Sequence, residues 1–290
     1  MQSELRRRFA LPSLVAFVFL TSGCGLIPKH SDLPPSQQAF HPVNFAEAVE
    51  FAERAKATYA DAPQLPGQVV VRDLKNSEVR YILSRSGGRQ HVAIRGTSNV
   101  RNAIIDVQAR PDFFATGITA HQGFGSATSE VVADLRPRLQ KSQPITITGH
   151  SLGGAIATLL AIQLHDDGYT IDRVITFGQP KVTDEEGARK NLDLPITRFV
   201  NDDDPVVDLP PALVTKSGKW RYTHIGEAVI LRGDRGYIFL EPLQGLAHGV
   251  RSFFDQLGDS EVPDHKMDEY FEHLVRRVSG SQEMPIDVLK

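Results

Sequence analysis

The chain has 290 residues, 41% of them hydrophobic and 23% charged, and its 32 Lys and Arg against 35 Asp and Glu leave a formal net charge of −3. That balance suits a soluble globular protein long enough to bury one sizeable core, and it offers no basic surface for nucleic acid. One cysteine excludes an internal disulfide, and no metal-spaced Cys/His cluster, phosphate-binding glycine loop or internal repeat is present, so no metal and no organic cofactor is expected.

Residues 1–23 carry a basic start, Arg6-Arg7-Arg8, an apolar run from Phe9 to Leu20, and the small residues Thr21-Ser22-Gly23. The apolar run is too short to span a bilayer comfortably and reads as a signal peptide. Leu20-Thr21-Ser22-Gly23-Cys24 resembles a bacterial lipobox, which implies diacylation of Cys24 and a lipid-anchored place in the cell envelope, at the outer membrane or the periplasmic face; ordinary secretion is the alternative. Residues 24–44 are Pro-rich and polar, as a tether would be. Helical spacing starts near Phe45 and opens a folded domain over 45–290.

Val79-Arg80-Tyr81-Ile82-Leu83 and His91-Val92-Ala93-Ile94 read as strands joined by a hairpin turn at Gly87-Gly88. Arg95-Gly96-Thr97 is the turn leaving the second strand. After it, Val100, Ala103, Ile104 and Val107 recur at the spacing of one apolar helix face, and Ser98 or Asn99 could cap that helix. Taken alone, such a stripe is ordinary core.

Pro144-Ile145-Thr146-Ile147-Thr148 predicts a buried strand, and the Ala/Leu-rich run Gly154 to Leu164 predicts a buried helix that stops before Asp166-Asp167-Gly168. Between them lies Gly149-His150-Ser151-Leu152-Gly153, a serine with a glycine two positions away on each side. Strand, glycine-flanked serine and helix in this order form a nucleophile elbow, in which the serine sits on a sharp turn with no room for neighbouring Cβ atoms. A serine hydroxyl attacks only when a base removes its proton and a third group orients the base. On an elbow of this kind the acid and the base follow in chain order, and the backbone N–H of the next residue, Leu152, is one oxyanion donor. The second donor comes from the loop after an earlier strand, where Thr97 is the candidate.

Two more strands, Ile171 to Gly178 and Ile196 to Val200, precede Asn201-Asp202-Asp203-Asp204-Pro205. An acid at the carboxyl end of a strand lies on the edge where open α/β sheets build their sites, but residue type does not choose among Asp202, Asp203 and Asp204. Four histidines follow: His224 in a strand-like run, His248, His265 on a loop, and His273 in the last helical pattern from Met267 to Val275.

The segment from Val200 through Pro210-Pro211 resembles the acid segment of the class 3 lipases, the family of the fungal triacylglycerol lipases. Ile94-Arg95-Gly96-Thr97, His121-Gln122-Gly123-Phe124 and Thr176-Phe177-Gly178-Gln179-Pro180-Lys181-Val182 resemble other family segments, in family order. The resemblance, which runs from about Phe45 to about His273, implies an α/β-hydrolase fold with a mostly parallel central sheet and helices on both faces. It implies Asp204 as the acid, six residues before the Pro-Pro pair, and His265 as the base, although Tyr270 stands further past the histidine than the family's aromatic residue does. It also implies a backbone donor at Thr97 and a lid at Val100, Ala103, Ile104 and Val107. The expected activity is hydrolysis of carboxylic esters of lipids by Ser151, Asp204 and His265, with a lipid or ester as the partner. Phospholipase, thioesterase or acyltransferase chemistry on the same triad, and a non-catalytic lipoprotein module, are the alternatives.

Overall fold

Gly87 and Gly88 adopt φ of +58° and +75° and join two antiparallel strands through a two-residue turn, the conformation that matches strand twist and that glycine adopts at no steric cost. The computed structural model describes residues 41–96, 110–201, 204–210, 213–215, 218–242 and 263–284. Cys24, Thr97, the stripe Val100, Ala103, Ile104 and Val107, Asp202, Asp203 and His248 lie outside the described residues.

Helix α1 (Phe45–Ala57) starts at Asn44, whose side chain accepts a hydrogen bond from the Glu47 N–H. The hairpin strands are β2 (Arg80–Ser86) and β3 (Arg89–Ile94), with β1 (Gln68–Asp73) antiparallel to β2. A short hairpin, β4 (Pro111–Phe113) and β5 (Thr119–His121), leads into α2 (Gln122–Leu135). Then β6 (Ile145–His150), α3 (Leu152–Asp166), β7 (Ile171–Phe177), α4 (Glu185–Lys190) and β8 (Ile196–Asn201) alternate. A small pair, β9 (Leu213–Thr215) and β10 (Gly218–Trp220), precedes β11 (Glu227–Arg232), β12 (Gly236–Leu240), α5 (Met267–Val278) and β13 (Gln282–Glu283).

Nine strands form the central sheet in the order β1-β2-β3-β6-β7-β8-β11-β12-β13. The five from β3 to β11 run parallel. Parallel strands connected through helices are covered on both faces, so they read as unbroken apolar runs. In β7, Val174 joins the core beneath α2 and α3, whereas Ile175 and Phe177 join the core beneath α1 and α5. The predicted strand around His224 is shorter than its pattern suggested: β11 begins only at Glu227, because Gly226 takes φ +81° and Thr223 instead bridges Thr183.

The parallel sheet brings four chain exits to one edge. Strands β3, β6, β7 and β8 end at Ile94, His150, Phe177 and Asn201, so Gly96, Ser151, Gly178 and Asp204 each follow within three residues. That carboxyl edge is where open α/β sheets carry their sites.

Candidate active site

Ser151 lies between β6 and α3 with φ +58° and ψ −128°, a backbone region that costs an L residue on the order of 1–3 kcal/mol and persists only where its surroundings hold it. Here the Ser151 N–H donates to the Phe177 carbonyl at 2.9 Å, and its own carbonyl accepts from the Gly154 N–H at 2.9 Å. A Cβ on Gly149 would collide with the backbone of Gly153, and one on Gly153 with the carbonyl of Ile94. The glycines are therefore demanded by the passage of the chain on both sides of the serine. Leu152 is the first residue of α3, and the N–H groups of a helix's first turn have no acceptor within the helix.

Asp204 and His265, separated by 61 residues in the chain, meet at this edge with both side chains buried: His265 Nδ1 is 2.8 Å from Asp204 Oδ2. A carboxylate only accepts, so Nδ1 carries the proton and donates it. The other ring nitrogen, Nε2, is then a lone pair in the neutral imidazole, buried and without a hydrogen-bond partner among the described groups. Asp204 is held from two further directions. Its Oδ1 accepts from the Val206 N–H at 2.9 Å, and its Oδ2 also accepts from the Tyr270 hydroxyl at 2.6 Å. Burial, and then the charge of Asp204, raise the Tyr270 pKa well above its ordinary value, so the phenol keeps its proton and remains a donor.

The pair stands beside the elbow. Gly178, which follows the residue that anchors Ser151, has φ +55°, and a Cβ there would lie 2.8 Å from Asp204 Oδ2 and 2.9 Å from His265 Nδ1. The ring of His150, the residue before the serine, is 4.7 Å from the ring of His265. Asn201, at the end of β8, closes the arrangement: its Nδ2 donates to the Asp264 carbonyl at 2.8 Å, and its N–H donates to the Tyr270 hydroxyl at 3.0 Å.

The other two described candidates for the base, His224 and His273, are elsewhere occupied. His224 donates from Nε2 to the Val207 carbonyl at 2.9 Å, and burial, with the charges of Arg198 and Lys181, lowers its pKa well below the usual value. It is a neutral structural histidine. His273 is half-buried on α5, bonded through Nδ1 to Asn201 Oδ1 at 3.0 Å. Tyr270, five residues past His265, reaches the acid because the 3₁₀ turn Pro263–His265 and the first turn of α5 lie between them. Its spacing alone did not reveal that role. Among the described residues no cluster of His, Cys, Asp or Glu could hold a metal ion, and no helix is long and apolar enough to cross a membrane.

A mostly parallel sheet flanked by helices, with a strained serine after β6 and an acid after β8, is the α/β-hydrolase fold, and solved fungal lipases share it. The chain superposes on a fungal lipase solved with an inhibitor at TM-score 0.61 and 21% identity, covering 84% of this chain and 97% of that one. The lipase of Rhizopus microsporus var. chinensis gives 0.57 at 23% identity, over 67% and 77% of the two chains. Over residues 91–214 the chain matches the model of the class 3 lipase family. Among curated relatives it is 36% identical over 138 residues to a secreted mono- and diacylglycerol lipase of Fusarium solani, covering 41% of this chain and 39% of that protein. It is 32% identical over 151 residues to a lipase of Rhizomucor miehei, covering 47% and 40%. The chain thus spans about two fifths of the length of these relatives.

Proposed function

We propose that this protein is a serine hydrolase that cleaves the carboxylic ester bonds of lipids, acylglycerols among them. The observation that carries this reading is the buried Asp204–His265 pair at 2.8 Å beside a serine held at φ +58°. In the first half-reaction the Ser151 hydroxyl oxygen bonds to the ester carbonyl carbon while His265 Nε2 takes its proton, and the carbonyl oxygen becomes an anion stabilised by the Leu152 N–H, with Thr97 as the second donor that the family resemblance implies. Each such donor is worth about 3 kcal/mol in the transition state. Collapse of the intermediate breaks the bond to the alcohol, which leaves with the proton from the imidazolium. Water then repeats the sequence on the acyl-serine: His265 takes its proton, the carboxylic acid departs, and the serine is restored. Asp204 stays ionised throughout, fixes the tautomer and stabilises the imidazolium.

Two tests address this reading. The purified protein should hydrolyse p-nitrophenyl esters of graded chain length and emulsified acylglycerols, and a fluorophosphonate should attach in one-to-one ratio to the peptide holding Ser151. Labelling at another residue, or esters left intact, would sink it.

Export is part of the proposal. Relatives named as secreted lipases agree with passage across a membrane, and the leader of residues 1–23 directly before Cys24 supports the finer reading that the mature protein is held there by a diacylated cysteine. Two acyl chains give stable attachment where one is marginal. In a bacterial host, Cys24→Ser should accumulate a longer precursor and lose palmitate incorporation. Normal cleavage and release of a soluble product would replace the lipobox with an ordinary leader.

A further inference from the structure

Two side chains at the site, Tyr59 and His150, have no part in the chemistry just described, yet they connect its separate pieces. Tyr59 follows α1 and is partly exposed to solvent. The Tyr59 oxygen accepts from the Gly96 N–H at 3.2 Å and lies 2.8 Å from His150 Nδ1. On the far side of the same imidazole, His150 Nε2 is 2.6 Å from the backbone carbonyl of His265.

Only one arrangement of protons fits these contacts. The His265 carbonyl can only accept, so His150 carries its proton on Nε2 and donates it there. Nδ1 is then a lone pair, so the Tyr59 hydroxyl donates to it, and the Tyr59 oxygen keeps a lone pair for the Gly96 N–H. Every member has a partner. Burial, with the neighbouring His265, lowers the His150 pKa to about 3, and burial pushes that of Tyr59 up to about 12, so neither changes charge over the working range.

We infer that Tyr59 and His150 are positioning residues: their single hydrogen-bonded chain, from the Gly96 N–H to the His265 carbonyl, sets the loop after β3 and the loop of the base at fixed heights around Ser151. The inference rests on the serine hydrolase reading above. Gly96 is where the first loop touches the nucleophile, since a Cβ there would lie 3.0 Å from the Ser151 Cβ, 2.6 Å from the His150 carbonyl oxygen and 2.8 Å from the Tyr59 hydroxyl. The next residue in the chain is Thr97. At the other end, His265 is held twice, by its carbonyl to His150 and by its ring to Asp204, so rotation of the ring and displacement of its backbone are opposed by different groups. With Nε2 committed to the carbonyl and a depressed pKa, His150 also cannot compete as a base for the serine beside it.

The test separates positioning from simple support of the fold. Tyr59→Phe keeps the ring and removes only the hydroxyl; kcat on a soluble ester should fall about tenfold, the scale of one buried hydrogen bond. KM should stay within twofold, and fluorophosphonate labelling should slow in parallel. His150→Gln retains an amide N–H able to reach the His265 carbonyl and should keep several-fold more kcat than His150→Leu at matched thermal stability. Unchanged kcat in Tyr59→Phe, or a Gln variant no better than Leu, overturns the inference. If Tyr59→Phe does not fold, the Gln and Leu pair decides it. Ser151→Ala run alongside keeps the two questions distinct: an active alanine variant overturns the serine reading and this inference together, whereas an inactive one beside an unaltered Tyr59→Phe overturns the inference alone.

Discussion

Ser151→Ala should lower ester turnover by about 10⁴-fold or more, the scale seen when the nucleophile of a triad is removed. The substitution takes away one oxygen and nothing else. Alanine retains the Cβ, so the strain at φ +58° is common to both proteins, and the two backbone hydrogen bonds that hold the elbow, to Phe177 and from Gly154, are untouched. The circular dichroism spectrum and melting temperature should therefore match the parent, and fluorophosphonate labelling should vanish. Turnover within tenfold of the parent would remove Ser151 from the mechanism.

Asp204→Ala should cost kcat about 10⁴-fold, as loss of the orienting acid does in a triad. The carboxylate accepts three hydrogen bonds, from His265 Nδ1, the Tyr270 hydroxyl and the Val206 N–H. Its removal frees the imidazole to take the other tautomer, with the proton on the nitrogen that should receive one from serine. It also leaves the buried Tyr270 hydroxyl without its acceptor, so a loss of stability of about 1–3 kcal/mol should accompany the kinetic defect. Asp202→Ala and Asp203→Ala should leave kcat near that of the parent. Kinetics and urea melts on the same samples check both effects, and a greater loss of kcat in either neighbour than in Asp204 would move the acid.

Local pattern accounts for much of the fold. The strand before the elbow, the helix after it and the Gly87-Gly88 hairpin are each specified by residues adjacent in the chain, so propensity and spacing suffice to read them. The run before Glu227 misled because Tyr222, Thr223 and Ile225 are buried in a segment bridged to Thr183 outside the central sheet, where tertiary packing outweighs strand propensity. At the site, residue type left three acids and four histidines open, and resemblance chose Asp204 and His265. Their pairing across 61 residues, and the bonds from Tyr59 to His150 and from His150 to His265 across 91 and 115, belong to tertiary structure. Burial and the fixed proton arrangement of His150 are what distinguish it from an ordinary residue inside a motif.

His265, the proposed base, and Tyr270, which clamps Asp204, both come from residues 263–278, long after Ser151 and Asp204 in the chain. A ribosome therefore finishes the elbow, its glycines and Asp204 well before it makes the group proposed to activate the serine. On the proposed mechanism, a nascent chain stalled between Asp204 and His265 carries the serine and the acid but no base to take the serine's proton. On that mechanism hydrolysis would start only when α5 has been synthesised and docked beside α1, so the order of translation itself would delay the appearance of an esterase until residues 263–278 have been made.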